Sequence, residues 1–351
     1  MVKKIIQLIV FLGLGIFFVW FSVKDLKPED VEIIKSSATG VLNPKSLFFL
    51  FLSIVSGALA HYFRALRNIL LINPLGYKVR KTTTFYSVMV CYLANLAIPR
   101  LGEVLRCSFM QRYDQVPFQK SFGTVVVERV FDLLVFVLLL IFIIFLNKGL
   151  LSDLMINKQE EITLGDWITK KWAGLWAMKY LALCVIIGLI AIYLFIKQLK
   201  KKRTTHETEK THSKFMLAIK NILVGLWQGL ISIKDLKHPY LFVIYTIALW
   251  ICYYLGTFTC MFAFDFLQDL GFMPPFVILV VGSIGFMIAQ GGLGAYPLIV
   301  AGVLVLYDVS YAHGLAAGWI GWSAQTIMIL IVGFTTLMLA SLLKMEDRRE
   351  A

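Results

Sequence analysis

Apolar runs long enough to cross a bilayer recur along all 351 residues of the chain, beginning with Ile5 to Val23. About 20 such residues in a helix match the hydrocarbon thickness of a membrane. In that solvent every backbone N–H and C=O has to be paired within the protein, which leaves the helix as the spanning element for a pattern of this kind. Hydrophobic residues make up 59% of the chain and charged residues 16%, so no sizeable soluble domain remains. The predicted fold is all-α, a polytopic transmembrane helix bundle over residues 1–351 read as one integral membrane domain.

Lys3 and Lys4 precede the first run, and no small-residue cleavage site follows it, so it is expected to stay as a helix instead of being removed as a signal peptide. The five cysteines (Cys91, Cys107, Cys184, Cys252, Cys260) lie scattered in apolar segments without metal or redox spacing and are expected as inert buried thiols, with no metal site and no cofactor. The net charge of +13 comes from short loops between spans. It therefore points to anionic inner-leaflet lipids as the partner of the basic residues and away from nucleic acid.

Basic residues near span ends stay on the cytoplasmic side, which orders the loops. From His61 to Lys81 there are Arg64, Arg67, Lys78, Arg80 and Lys81 and no acid, while Lys24 to Lys45 balances four lysines with four acids; the first is predicted inside and the second outside. Residues 197–238, with Lys200, Lys201, Lys202 and Arg203, form a predicted cytoplasmic basic loop, and Lys214 to Leu236 within it has the apolar spacing of an amphipathic interfacial helix. Lys148 to Lys171, followed by Trp172 and Trp176, and the loop with Asp265 and Asp269 are predicted outside. Both termini are then cytoplasmic, in the cell (inner) membrane.

This parity requires two segments to enter and return. The first covers about 82–119, with arms Thr83 to Ile98 and Gly102 to Tyr113 and a tip at Pro99 to Gly102. The second covers about 272–307, with arms Phe272 to Ala289 and Ala295 to Tyr307 and a tip at Gln290 to Gly294. Entered from opposite sides, they make two inverted re-entrant or broken-helix hairpins, the relationship found in many transporters.

Freed backbone groups at such tips have to face protein or a hydrated cavity, and the new half-helices bring N-termini toward it, with Gly102 and Glu103 in one first turn and Pro297 in the other. An anion suits that cavity. Arg100 and Arg106 add full charges whose forks match phosphate oxygens, with pairing to Glu103 or Glu128 as the structural alternative. Glu128 and Asp132 are four apart on one helix face and Arg129 is three from Asp132, within reach of it. His61, Arg64 and Arg67 recur every third residue; Arg64 and Arg67 are expected as cytoplasmic anchors and His61 as a packing residue, with the cavity mouth as the alternative. Asn95, four residues before Pro99, is expected to bond carbonyls freed by the break. Gly291, Gly292 and Gly294 follow an apolar arm, so close helix packing is their bland reading. No nucleophile elbow, phosphate-binding glycine loop, HExxH or zinc spacing occurs, and the chain is not expected to be an enzyme.

Together, Asn95-x-x-x-Pro99-Arg100-x-Gly102-Glu103-x-x-Arg106, Glu128-Arg129-x-x-Asp132 and Gly291-Gly292-x-Gly294 resemble the flippase-like membrane domain of the lysylphosphatidylglycerol synthase family. The resemblance implies an integral membrane bundle with re-entrant segments, associated with moving lipids between leaflets, and without the soluble aminoacyltransferase domain of bifunctional members. Where relatives often have Pro-Gly-Gly-x-Gly with an acid three residues on, this chain has Gln290-Gly-Gly-Leu-Gly-Ala-Tyr-Pro297. The leading expectation is a flippase for an anionic phospholipid or lipid-linked headgroup, held by Asn95, Arg100, Glu103, Arg106, Glu128, Arg129, Asp132 and the three glycines. The alternative is a non-transporting scaffold docking a lipid-modifying enzyme such as a glycosyltransferase through its basic loop. An intramembrane transferase using Glu128 and His61 is the third reading. A homo-oligomer stays open as a further partner.

Overall fold

A computed structural model describes residues 13, 16–24, 26–98, 100–146 and 236–347. The described residues belong to one compact unit, Met1–Leu146 with Ile219–Ala351. The predicted basic loop and amphipathic helix up to Asp235, the tryptophan-rich loop, Cys184 and the tip residue Pro99 lie outside them.

Ten α-helices lie among the described residues: α1 (16–23), α2 (Pro28–Gly40), α3 (Pro44–Ile72), α4 (Lys81–Ala97), α5 (Leu101–Asp114), α6 (Phe118–Leu146), α7 (Pro239–Met261), α8 (Met273–Ile288), α9 (Ala295–Val305) and α10 (Tyr311–Asp347). No strand occurs among the described residues. Three of the helical stretches, Pro44–Leu75, Pro239–Met261 and Tyr311–Ala340, are long and apolar enough to cross a membrane.

Local sequence explains the boundaries. The Asn43 side chain accepts from the Ser46 N–H at 2.9 Å and Pro44 occupies the first turn of α3, where its missing N–H costs nothing. Ile98 precedes a proline and is forced into an extended conformation (φ −137°, ψ 121°), which ends α4. Gln115 takes the left-handed conformation after α5, and the Val116 N–H returns to the Met110 carbonyl at 3.3 Å before Pro117 stops the helix. The charge-balanced stretch Lys24 to Lys45 is itself largely helical, because Asp30 accepts from the Lys27 N–H at 3.0 Å and Glu29 and Asp30 sit at the positive end of α2.

α3 and α7 run antiparallel, tied where Ser46 donates to the Ala263 carbonyl (2.6 Å), Ser53 to the Gly256 carbonyl (2.7 Å) and Arg67 to the Thr246 hydroxyl (3.3 Å). Two helical hairpins complete the frame. α4 and α5 lie side by side, closed at their open end where the Arg80 guanidinium and N–H both donate to the Asp114 carboxylate at 3.0 Å. α8 and α9 meet where Gly285 packs on the Tyr296 backbone. The predicted arms match both pairs to within two residues. Lys45 lies 3.6 Å from Asp265, so the two loops expected on one side do share one end of the molecule.

Charged and polar groups are buried beside an apolar core, and large apolar side chains face outward. His61, Arg64, Arg67, Asn68, Arg106 and Glu128 are buried, whereas Leu138, Ile331, Phe334 and Met338 are exposed. An apolar exterior, with the charges drawn inside and paired, is the arrangement a lipid solvent favours.

Candidate functional site

Three residues within two turns of α6 organise the site, each reaching a partner on another helix. Glu128 receives both ends of the Arg106 guanidinium from α5, at 2.9 and 3.1 Å. Arg129 donates to Glu103, also on α5, at 2.7 Å. Asp132 faces α3 and is shared by Arg64 (2.5 Å) and Arg67 (2.7 Å). Because Glu128 and Asp132 lie on one face of α6, the three pairings form a ladder running between α5 and α3.

The second layer is hydroxylic and aromatic. Arg64 also donates to the Tyr253 hydroxyl at 3.3 Å, and Asn68 donates to the Thr124 hydroxyl at 3.1 Å. The Arg64 guanidinium lies 5.9 Å from the Tyr92 ring centre and that of Arg67 lies 5.6 Å from Phe242, within cation–π range. The His61 ring packs on Tyr92 with centroids 4.1 Å apart. Burial is graded along the ladder. The Arg129 side chain is 44% exposed and that of Glu103 20%, Asp132 has 15%, and Arg67 is fully enclosed. The Arg106 and Glu128 pair is sealed, at 3% and 1%.

Several sequence expectations are revised by this geometry. Arg129 does not turn to Asp132 along its own helix; it crosses to Glu103, leaving Asp132 to α3. Arg64 and Arg67 are not surface anchors but buried partners of Asp132. Arg106 has its end-on fork filled by Glu128, the pairing given above as the structural alternative. Arg100 is exposed at the tip, in the left-handed conformation (φ 61°), and no described residue pairs with it. Asn95 supports the break from the opposite direction to that expected: its Oδ1 accepts from the Gly102 N–H at 2.8 Å and so caps α5, while its Nδ2 lies 3.4 Å from Glu103. Gly102 is required because any Cβ there would run into the Cys91 carbonyl.

The carbonyls that end α4 are capped instead by Gln290, whose Nε2 donates to Leu96 O (2.7 Å) and Ala97 O (2.5 Å). The two hairpin tips thus touch through the Gln290 amide. Gly291, Gly292 and Gly294 all have positive φ; they pack against Leu96, Phe286 and the Phe18–Val19 backbone, and Trp322 donates to the Gly291 carbonyl at 2.7 Å. They do not touch the ion ladder. Sequence reasoning missed Gln290, Thr246 and Tyr253 as partners; Gln290 was visible only as a departure from its relatives. An apolar cleft of about 430 Å³ between α6, α7 and α8 includes Thr246 and Trp250 in its wall and none of the predicted site residues. Among the described residues no cluster of acids, histidines or cysteines has the makings of a metal site.

Fold and interior chemistry define a polytopic α-helical membrane protein with a buried ionic ladder. The chain matches the lysylphosphatidylglycerol synthase TM region over residues 4–333 and belongs to that family, whose membrane domains are tied to lipid modification or transport. Curated proteins and solved structures gave no match.

Proposed function

We propose that this protein is a lipid translocase that passes an anionic phospholipid or lipid-linked headgroup between leaflets and catalyses no chemical step. The observation that carries this reading is the graded ion ladder. A lone charge inside a membrane costs several kcal/mol, and breaking a buried pair costs about 3–5 kcal/mol. A phosphate entering at the Arg129 and Glu103 pair exchanges one oxyanion partner of an arginine for another, so each guanidinium stays paired while the more exposed Glu103 carboxylate is released. Arginine suits this role because its fork binds phosphate and carboxylate alike. Acyl chains stay in the lipid while the headgroup moves along the ladder.

In this reading the α4–α5 and α8–α9 hairpins are re-entrant, meeting tip to tip within the bilayer. The ends marked by Arg80 and Asp114 face the cytoplasm, the ends marked by Lys45 and Asp265 face outward, and both termini are cytoplasmic in the cell membrane. The scaffold alternative rests on the basic loop, most of which lies outside the described residues.

Proteoliposomes carrying fluorescent phosphatidylglycerol test the proposal. With the parent protein, added dithionite is expected to bleach label beyond the outer-leaflet half, and Arg129→Gln, at the half-exposed mouth, to slow that second phase several-fold. Bleaching no different from protein-free vesicles overturns the translocase reading.

A further inference from the structure

Among the described residues the ladder is one negative charge short. With His61 counted as neutral, the guanidiniums of Arg64, Arg67, Arg106 and Arg129 face the carboxylates of Glu103, Glu128 and Asp132 among the described residues. Arg106 with Glu128 and Arg129 with Glu103 pair one to one, so the surplus falls on the two α3 arginines that share Asp132. These are among the most enclosed cations described, with side chains 5% and 0% exposed.

Part of the donor set of these two arginines is also unsatisfied. Arg64 donates through its Nη groups to Asp132 and Tyr253, while Arg67 donates to Thr246 and forms an ion pair with Asp132 at 2.7 Å. The Nε of each is buried and has no hydrogen-bond partner among the described residues, as is true of His61 Nδ1 one turn earlier on α3 and also of Arg106 Nε, so it is the charge count that singles out the α3 pair. Buried guanidinium N–H groups are rarely left unpaired; Arg64 meets Asp132 through Nη1, so its Nε edge is turned away from that carboxylate, whereas Arg67 meets Asp132 through Nη2, the group that shares the side-on edge with its Nε.

We propose that Arg64 and Arg67 form a site for one singly charged oxyanion, a phosphodiester or phosphate monoanion, bound beside Asp132. This deepens the translocase reading and rests on it for its biological sense, though binding itself requires no movement. One negative charge neutralises the cluster. A zwitterionic headgroup leaves the surplus in place, and a doubly charged headgroup overshoots it, so the site selects by charge number. Thr246, which accepts from Arg67, also lines the apolar cleft between α6, α7 and α8, which places room for an acyl chain next to the anion.

Native mass spectrometry of the full chain in detergent, offered phosphatidylcholine, phosphatidylglycerol and phosphatidic acid in turn, tests this. The parent is expected to retain one phosphatidylglycerol several-fold over phosphatidylcholine. Asp132→Asn raises the surplus to two and is expected to move the preference to phosphatidic acid; Arg67→Gln removes the surplus and with it the preference for phosphatidylglycerol over phosphatidylcholine. Loss of bound lipid on adding inorganic phosphate assigns the site to the free ion and persistence assigns it to the headgroup; the charge rule holds in either case. If Arg67→Gln does not fold, Asp132→Asn alone decides: an unchanged ranking in that variant overturns the site. Charge-blind binding with lipid movement intact removes this inference and leaves the translocase reading standing, whereas charge-selective binding without movement does the reverse.

Discussion

The two hairpins share a backbone plan and differ in nearly everything that fills it. In each, a short helix ends in an extended residue, Ile98 or Ala289, the chain turns through positive φ, and a second short helix begins. In the α4–α5 hairpin the turn is made by Arg100, a conformation costing a residue with a Cβ about 1–2 kcal/mol, and Asn95 caps the new helix. In the α8–α9 hairpin three glycines make the turn without that cost. The first hairpin sends Glu103 and Arg106 into the ion ladder; the second contributes no charge and wedges its glycines against α1, α8 and the tip of α4. A break inside a membrane protein can thus be stabilised by polar side chains, which also equip it for chemistry, or by close backbone packing, which equips it only to stay put. Gln290 joins the two solutions, since its amide caps the carbonyls of one hairpin from the tip of the other.

That contrast can be broken at graded cost. Glu128→Ala strands the sealed Arg106 and is expected to lower stability by about 3–5 kcal/mol, while Arg106→Met together with Glu128→Leu should restore most of it. Thermal unfolding in detergent reads both, and equal losses in the single and double variants would show that the pair is not the unit that holds α5 to α6. The matching change in the uncharged hairpin is Gly285→Ala, whose Cβ would lie 2.9 Å from the Tyr296 nitrogen. Overpacking there is expected to cost about 1–3 kcal/mol by the same assay, and a stabilised protein would refute close packing as that hairpin's support.

Between them lies Gln290→Leu, which leaves the Leu96 and Ala97 carbonyls without their cap at a cost of about 1 kcal/mol. Hydrogen exchange over the last turn of α4 should accelerate while that of α9 stays as it was; unchanged α4 exchange would mean the tips are held by apolar contact alone. Smallest is Lys45→Ala, far from either tip, where side chains 58% and 85% exposed face each other. A shift within roughly 0.5 kcal/mol is expected in the unfolding midpoint, and a larger one would place that end of the molecule in a drier setting than its exposure indicates.

Much of the architecture was legible because it follows from local rules. Pro99 forces Ile98 to be extended, the glycines at 291, 292 and 294 permit positive φ, and the apolar runs set helix lengths against bilayer thickness; the arms of both hairpins follow. Partner choice was not legible. Arg129 stands three residues from Asp132, the spacing that favours a pair on an isolated helix, yet it crosses to Glu103, because Asp132 is taken by two arginines from a helix some 65 residues earlier in the chain. The same holds for Asn95, whose carbonyl oxygen meets an N–H seven residues on because Gly102 lets α5 press against α4.

The sequence by itself determined that this chain is a membrane bundle with two broken hairpins, since hydrophobic length, proline and glycine act through their immediate neighbours. Only the tertiary structure decided which charge faces which, where the unmatched arginine lies, and that Gln290 bridges the tips. Those outcomes depend on distances between helices remote in the chain, and in a medium of low dielectric such distances govern the energy of every buried charge.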